Sequence, residues 1–283
     1  MTTAGNEAAI LPALLQRWQS DLAAWAIPEH ITAAVPQSPW VLPRGVFARR
    51  ADRLTAAPSG PSFELAWSAL QPPGSVLDVG SGAGAASLPL LARCTALTAV
   101  DAEPAMLDLL ADRAAGSGVP VRLVTGTWPA VAAEAGRADI VTCYHVSYNV
   151  PEIEPFLAAL TSAARRIVVL EMTTLHPLSA LNPLWLRFHG LARPHGPTAD
   201  DLLAILAAMG VSARSQRWPR TGGRDYSSFA ELTDVTRRRL CLPPERADEV
   251  ARALAESGID PDRPMELGSA GREAVTIWWD GRR

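Results

Sequence analysis

Two carboxylates bracket a glycine-rich stretch of this chain. Asp78 sits in VLDVGSGAGAAS (residues 76–87), two residues ahead of Gly80, and Asp101 sits in LTAVDAEPAML (residues 97–107). Gly80, Gly82 and Ala85 satisfy the loose dinucleotide fingerprint, in which glycines let the backbone approach a nucleotide closely. In a dinucleotide site the pyrophosphate rests on backbone N–H groups at a helix N-terminus. Asp78 would set a further negative charge beside two phosphates where screening is weak. A ligand with a positive centre and an amino group near the loop would be attracted to that acid.

Asp101 falls about twenty residues past the glycines, where a carboxylate takes hydrogen bonds from ribose hydroxyls. S-adenosylmethionine has the required parts: an ammonium, a sulfonium, a ribose, an adenine and no phosphate. Further along, CYHVSYNVP (residues 143–151) gathers Cys143, Tyr144, His145, Tyr148 and Asn149. An aromatic face attracts a desolvated cation, which suits Tyr144 or Tyr148 beside a sulfonium. His145, with an ordinary pKa near neutrality, is a candidate general base or a structural hydrogen-bonding residue. Glu171, in VVLEMTT, is suited to an amino or hydroxyl group of an acceptor, or to capping its own loop.

These residues need a sheet to hold them. Short apolar segments at 75–79, 96–100, 121–125, 138–143 and 166–171 alternate with helical patterns at 84–92, 104–115, 129–135 and 152–164. That alternation predicts an α/β fold with a doubly wound, mostly parallel sheet, right-handed crossovers and helices on both faces. Ligands of such sheets bind at the carboxyl ends of the strands. Asp78, Asp101, His145 and Glu171 all fall at that edge. Beyond it, Thr198 reads as the N-cap of a helix stopped by Gly210, followed by a strand at 211–218, helices at 227–240 and 244–257, and a last strand at 274–279.

The first seventy residues are helical pieces cut by seven prolines. Leu11, Leu14, Leu15, Trp18, Leu22 and Trp25 make one apolar face and predict a helix over 8–26. The segment SPWVLPRGVFARRADRL, with Arg44, Arg49, Arg50 and Arg53 around Phe47, reads as a helix with a solvated basic face, and so does Arg237–Arg239. Residues 1–70 are therefore expected to form a helical N-terminal segment or cap on a domain spanning 71–283. An insertion at about 173–197 is expected to wall the acceptor pocket, with His176, His189 and His195 as candidates to touch it.

The series D78-V-G80-S-G82-A-G84, then Asp101, TGTWP (125–129) and ADIVTCYHV (138–146), resembles the motifs of class I S-adenosylmethionine-dependent methyltransferases. The resemblance implies a seven-stranded Rossmann-like sheet with its last strand antiparallel. It also implies that Asp78, Gly80, Ser81, Gly82 and Gly84 line the methionine end of the cofactor and that Asp101 holds the ribose. Ala102, Met106, Gly126 and Cys143 complete the implied cofactor set. Many members bind the adenine amino group with an Asp after the third-strand glycine. This chain has Thr127 there, leaving the Thr127 backbone or the Trp128 ring for that contact.

Composition bounds the acceptor. All 26 basic residues are arginine and the formal net charge is −3, giving no general attraction to nucleic acid. No apolar run reaches the roughly 20 residues of a membrane helix, and the N-terminus lacks a signal-peptide pattern, so a cytoplasmic protein is expected. Cys94, Cys143 and Cys241 are too far apart for a disulfide framework, and the histidine spacings match no metal pattern. The expected acceptor is a small apolar or aromatic molecule, with Asn149, Glu171, His176 and His189 as its candidate contacts. The alternatives are an RNA or protein methyltransferase, an NAD(P)-dependent oxidoreductase, and a non-catalytic protein that only binds the nucleoside.

Overall fold

The computed structural model describes residues 4–33, 35, 38–40, 42–268 and 272–281. Seven strands form one sheet: β1 (Gly74–Val79), β2 (Cys94–Asp101), β3 (Val121–Thr125), β4 (Ala138–Tyr144), β5 (Ala164–Thr173), β6 (Arg214–Pro219) and β7 (Glu273–Asp280). Their order is β3-β2-β1-β4-β5-β7-β6. β1 to β5 pair in parallel, whereas β7 runs antiparallel to both β5 and β6. β6 therefore points the same way as β1 to β5, and its carboxyl end reaches the same edge. This is a seven-stranded Rossmann-like sheet with its last strand antiparallel, as the resemblance implies.

The helices are α1 (Ala4–Ala23), α2 (Glu29–Thr32), α3 (Arg44–Ala56), α4 (Pro61–Ala69), α5 (Pro104–Ala114) and α6 (Ala132–Ala135), then α7 (Ile153–Ala163), α8 (Asn182–His189), α9 (Ala199–Ala208), α10 (Phe229–Arg239) and α11 (Ala247–Glu256). Strand alternation splits the core into two layers. Val76, Ile140 and Val169 face α3, α4 and α5, where Ala51, Ala66, Leu107 and Leu110 pack. Leu77, Val141 and Leu170 face α1, α7 and α9, through Trp18, Phe156, Leu160 and Ile205. Trp18 is fully buried and its Nε1 donates to the Val150 carbonyl at 2.8 Å, which ties the N-terminal helix to the segment after β4. A third cluster joins α8, α10 and α11 to Val46 of α3.

Some local expectations differ from the structure. The helix expected at 84–92 is a run of turns followed by a 3-10 helix, Leu88–Arg93. Gly82 and Gly84 adopt left-handed φ of 51° and 92°, and Pro89 has no N–H to donate, so an α-helix cannot propagate through the segment. The helix at 129–135 shortens to α6, and that at 244–257 becomes a 3-10 turn, Pro244–Arg246, leading into α11. The stretch after β5 is not an extended loop: it carries a 3-10 turn, Pro177–Leu181, and α8, because Leu181, Leu184 and Trp185 bury against the third cluster. Thr198 does cap α9, in a reciprocal box with Asp201. Among the described residues, no helix is long and apolar enough to cross a membrane.

Candidate functional site

Strand register sets the site. Asp78 lies opposite Thr142, Tyr144 opposite Glu171, and Glu171 opposite Thr276. Along β4, Thr142 and Tyr144 point to the α3 side, while Cys143 alternates into the opposite core with no exposed surface. At the carboxyl edge a cavity of about 460 Å³ opens, within the usual range for small-molecule sites. One flank is Gly80, Ser81, Gly82, Asp101 and Met106; the other is Tyr144, His145 and Glu171. Phe47, Arg50 and Arg53 of α3 and Trp218 and Arg220 at the end of β6 complete the wall.

The N–H groups at all three glycines and Ser81 are taken up by the protein's own hydrogen bonds. Gly80 N and Ser81 N both donate to the Val100 carbonyl, Gly82 N donates to Asp101 Oδ2 at 2.8 Å, and Gly84 N donates to the Ser81 carbonyl. No α-helix follows the loop, so the helix terminus of a dinucleotide site is not formed here. Gly80 is required here, because a Cβ would come within 2.3 Å of Val146, whereas above Gly82 only Phe47 approaches, at 4.0 Å.

Polar atoms are left over around the loop: Ser81 and Tyr144 line the cavity, while Asp78 and Ser87 are buried behind it, outside its lining. Thr142 Oγ1 donates to Asp78 Oδ1 at 2.9 Å, but Asp78 Oδ2 has no partner, and neither do the buried hydroxyls of Ser81, Ser87 and Tyr144. Unpaired buried polar atoms are uncommon and call for a reason. Burial pushes the Asp78 carboxyl up to about 6, against the neighbouring Ser87 hydroxyl and the Thr142 hydrogen bond, with the nearby Asp101 charge adding to the rise. A cationic donor is what this carboxylate lacks. Asp101 accepts from Gly82 N and, through Oδ1, from Glu103 N at 2.9 Å; each oxygen keeps lone-pair capacity for a hydroxyl from the cavity.

The opposite flank holds a histidine–carboxylate pair. His145 Nε2 lies 3.0 Å from Glu171 Oε1, and the His145 N–H donates to the Glu171 carbonyl at 2.7 Å, so one residue grips the histidine at both ends. That grip holds His145 at φ 61°, a left-handed conformation that costs a non-glycine residue about 1–3 kcal/mol and gathers at functional sites. Burial and the Arg220 charge hold the His145 ring below its usual 6.5, against the pull of Glu171. Burial works to raise Glu171, but the hydrogen bond and charge of His145 and then Arg220 keep it below 4.5. Ser62 and Thr276 hydroxyls meet at 2.6 Å beside it, and Trp218 Nε1 donates to Thr276, fixing the floor.

Other candidate residues are placed elsewhere. Tyr148 is buried behind His145, ring centroids 6.3 Å apart, and edges onto His176, which stacks on Trp25 at 4.2 Å. Trp128 is a core residue whose Nε1 reaches the Phe156 carbonyl, and Thr127 and Ala102 are exposed outside the cavity lining. Gly126 ties β3 to β2 through its N–H on the Asp101 carbonyl. Asn149 is exposed, and His189 Nε2 pairs with the Leu240 carbonyl at 2.6 Å. His195 is likewise absent from the cavity wall, so none of the three histidines of 173–197 lines it.

The wall comes instead from α3, whose arginines are not a solvated face. Asp225, 6% exposed, receives Arg50 Nε at 2.8 Å and Arg53 Nε at 3.0 Å, while Arg49 donates to the Asp225 carbonyl and to Glu231. Arg237 and Arg239 are also turned inward, onto Asp234 and Glu266. Sequence reading missed Trp218 and Arg220. The strand expected at 211–218 ends at Trp218, and β6 runs parallel to β1–β5, so the residues just after it fall at the ligand edge like those after the other strands.

Residues 76–167 match a family described as "Methyltransferase domain". No curated protein matches the chain. Among solved structures, the YcgJ protein of Bacillus subtilis aligns at 18% identity over 78% of this chain and 98% of its own, with a TM-score of 0.51. A cyclopropane-fatty-acyl-phospholipid synthase-like protein of Lactobacillus casei aligns at 15% identity over 89% and 98%, with a TM-score of 0.52. The magnesium protoporphyrin IX methyltransferase of Synechocystis, solved with bound SAH, aligns at 18% identity over 84% of each chain, with a TM-score of 0.49. At these identities the likeness is one of fold.

Proposed function

We propose that the chain, whose residues 76–167 match a methyltransferase-domain model, methylates an oxygen or nitrogen of a small-molecule acceptor, with S-adenosylmethionine as donor and His145 as general base. The observation that carries this reading is one cavity with an unpaired carboxylate oxygen behind its glycine loop and a histidine–glutamate pair on its opposite wall.

The leftover polar atoms fit the donor: Asp78 Oδ2 offers an acceptor to an ammonium, Asp101 to ribose hydroxyls, and Tyr144 and Met106 line the walls between. When bound, S-adenosylmethionine supplies a methyl carbon whose bond to sulfur breaks as the acceptor's bond to it forms, the electron pair leaving on the sulfur. The protein has to align the acceptor, exclude water and take up the acceptor's proton. Glu171 accepts the Nε2 proton of His145, which leaves Nδ1 as the basic nitrogen and fixes the ring. A ring held below 6.5 is neutral at pH 7.5 and ready to accept. Glu171 then steadies the imidazolium that forms. Phe47, Phe63 and Trp218 cover the pocket with apolar surface, and α3 is anchored over it by Asp225.

An RNA or protein acceptor would need the arginines of 44–53 and 237–239 on one open surface. Arg49, Arg50 and Arg53 pair with Asp225 and Glu231, and Arg237 and Arg239 with Asp234 and Glu266. The test is to incubate the protein with methyl-labelled donor and an extract of its source organism. Label is expected in the small-molecule fraction and should be lost with His145→Gln; label confined to macromolecules, or undiminished in the variant, would refute the proposal.

A further inference from the structure

Four arginines line the cavity, and three of them are paired. Arg44, mostly exposed at the mouth, lies 3.5 Å from Glu103. Arg50 and Arg53 share Asp225, and Arg50 also faces Glu266 at 3.9 Å. Arg220 is the fourth. Its side chain has neither a hydrogen bond nor an ion pair among the described residues, although its backbone is fixed, the Arg220 N–H donating to the Arg272 carbonyl at 2.9 Å. The strand end therefore holds an unpartnered guanidinium on the wall of the proposed acceptor site.

Arg220 is also close to the catalytic pair. Its charge depresses the His145 ring and helps keep Glu171 ionised. A cation in that place has a cost, since it opposes protonation of the base. It would be offset if the acceptor brought an anion. The remaining surface around it is apolar and partly flat, from Phe47, Leu54, Phe63 and Trp218. A planar guanidinium, weakly hydrated and rich in donors, matches a carboxylate in two parallel hydrogen bonds.

Resting on the methyltransferase reading above, we infer that the acceptor is a small carboxylic acid with an apolar or aromatic body, whose carboxylate is received by Arg220 while its nucleophilic group faces His145. Glu171, the carboxylate facing that wall, is engaged by His145 and so does not compete for Arg220 as a direct partner. The site thus has two acidic residues for the donor, Asp78 and Asp101, and, among the described arginines of the cavity lining, one without a partner for the acceptor.

The test is calorimetric and needs no turnover. Protein saturated with S-adenosylhomocysteine is titrated with isomers of hydroxybenzoate and hydroxycinnamate, each beside its carboxamide, in wild type, Arg220→Lys, Arg220→Met and Arg44→Met. Acids are expected to bind about ten- to hundredfold tighter than their amides, as a charge-assisted pair provides. Arg220→Met should erase that preference, Arg220→Lys should keep part of it, and Arg44→Met should keep it. Equal binding of acids and amides, a preference that survives Arg220→Met, or no acid binding to protein that does bind S-adenosylhomocysteine would each overturn the inference. The wild-type comparison decides even if a variant misfolds. Failure of S-adenosylhomocysteine itself to bind would instead remove the methyltransferase reading, and this inference with it.

Discussion

Replacing Asp78 by Asn should make the ligand-free protein more stable and the ligand-binding protein worse. Asp78 is buried to 1% exposure, accepts one hydrogen bond from Thr142 and leaves Oδ2 unpaired. Its carboxyl is pushed from 3.8 up to about 6. At 1.36 kcal/mol per unit, holding it ionised costs the folded state about 3 kcal/mol above pH 6. The sign follows from the raised value: the folded chain binds the proton more tightly than the unfolded chain, so stability falls as pH rises through 4 to 6. Asn keeps an acceptor for Thr142 but sets an unpaired amide where Oδ2 was, at a cost of about 1–3 kcal/mol. The net gain is about 1 kcal/mol at pH 7.5, or about 2–4 °C in Tm, and it should reverse to a loss of about 1 kcal/mol at pH 4.5, where the charge costs only about 1 kcal/mol. Affinity for S-adenosylhomocysteine should fall at least about tenfold, the loss of one charge-assisted hydrogen bond. Thermal unfolding at the two pH values and calorimetry at pH 7.5 measure both effects. Unchanged affinity, or a variant less stable than wild type at pH 7.5 with no gain relative to pH 4.5, would refute the reasoning.

Other perturbations have signs fixed by the same geometry. Since His145 is held below 6.5, the acid limb of kcat/KM should lie below that value; Glu171→Gln should move it lower still and reduce kcat, because the carboxylate favours the imidazolium. Arg220→Met should move the limb upward, and a limb that ignores both variants would show that another group titrates. Burial and the Arg272 charge press the His176 ring down to about 4. The unfolded chain takes the proton first, so about 3 kcal/mol of stability present above pH 6.5 is lost as pH falls toward 4, opposing the Asp78 trend. In His176→Gln the stability difference between pH 7 and pH 4.5, from denaturant unfolding, should shift by about that amount. Asp225→Ala leaves Arg50 and Arg53 without their shared acid. A loss of about 2 kcal/mol is expected after discounting for their partial exposure, with weaker S-adenosylhomocysteine binding as α3 loosens over Gly82; full retention of both would show that α3 is held by packing alone.

Much of this was legible because it is local or periodic. The apolar strands announce the parallel sheet, and the acid two residues before Gly80 argues for a cationic ligand over pyrophosphate from sequence alone. What escaped depends on long-range assembly. Arg49, Arg50 and Arg53 look like a solvated face until Asp225, over 170 residues away, is brought beneath them. Arg220 joins the site because β6, though it pairs only with β7, runs parallel to β1–β5 and ends at the same edge. The histidines after β5 drew attention by type, yet Leu181, Leu184 and Trp185 pull their segment into the third cluster and away from the cavity. The pairing of His145 with Glu171 follows from β4–β5 register, which periodicity cannot supply.

The central claim is that the glycine loop and its two acids form a nucleoside site for a sulfonium donor and not a pyrophosphate site. Calorimetric titration of the wild-type protein with S-adenosylhomocysteine and, separately, with NAD tests it most directly. S-adenosylhomocysteine should bind saturably at one site per chain, more weakly in Asp101→Ala, and NAD should not bind. Binding of NAD alone would contradict it.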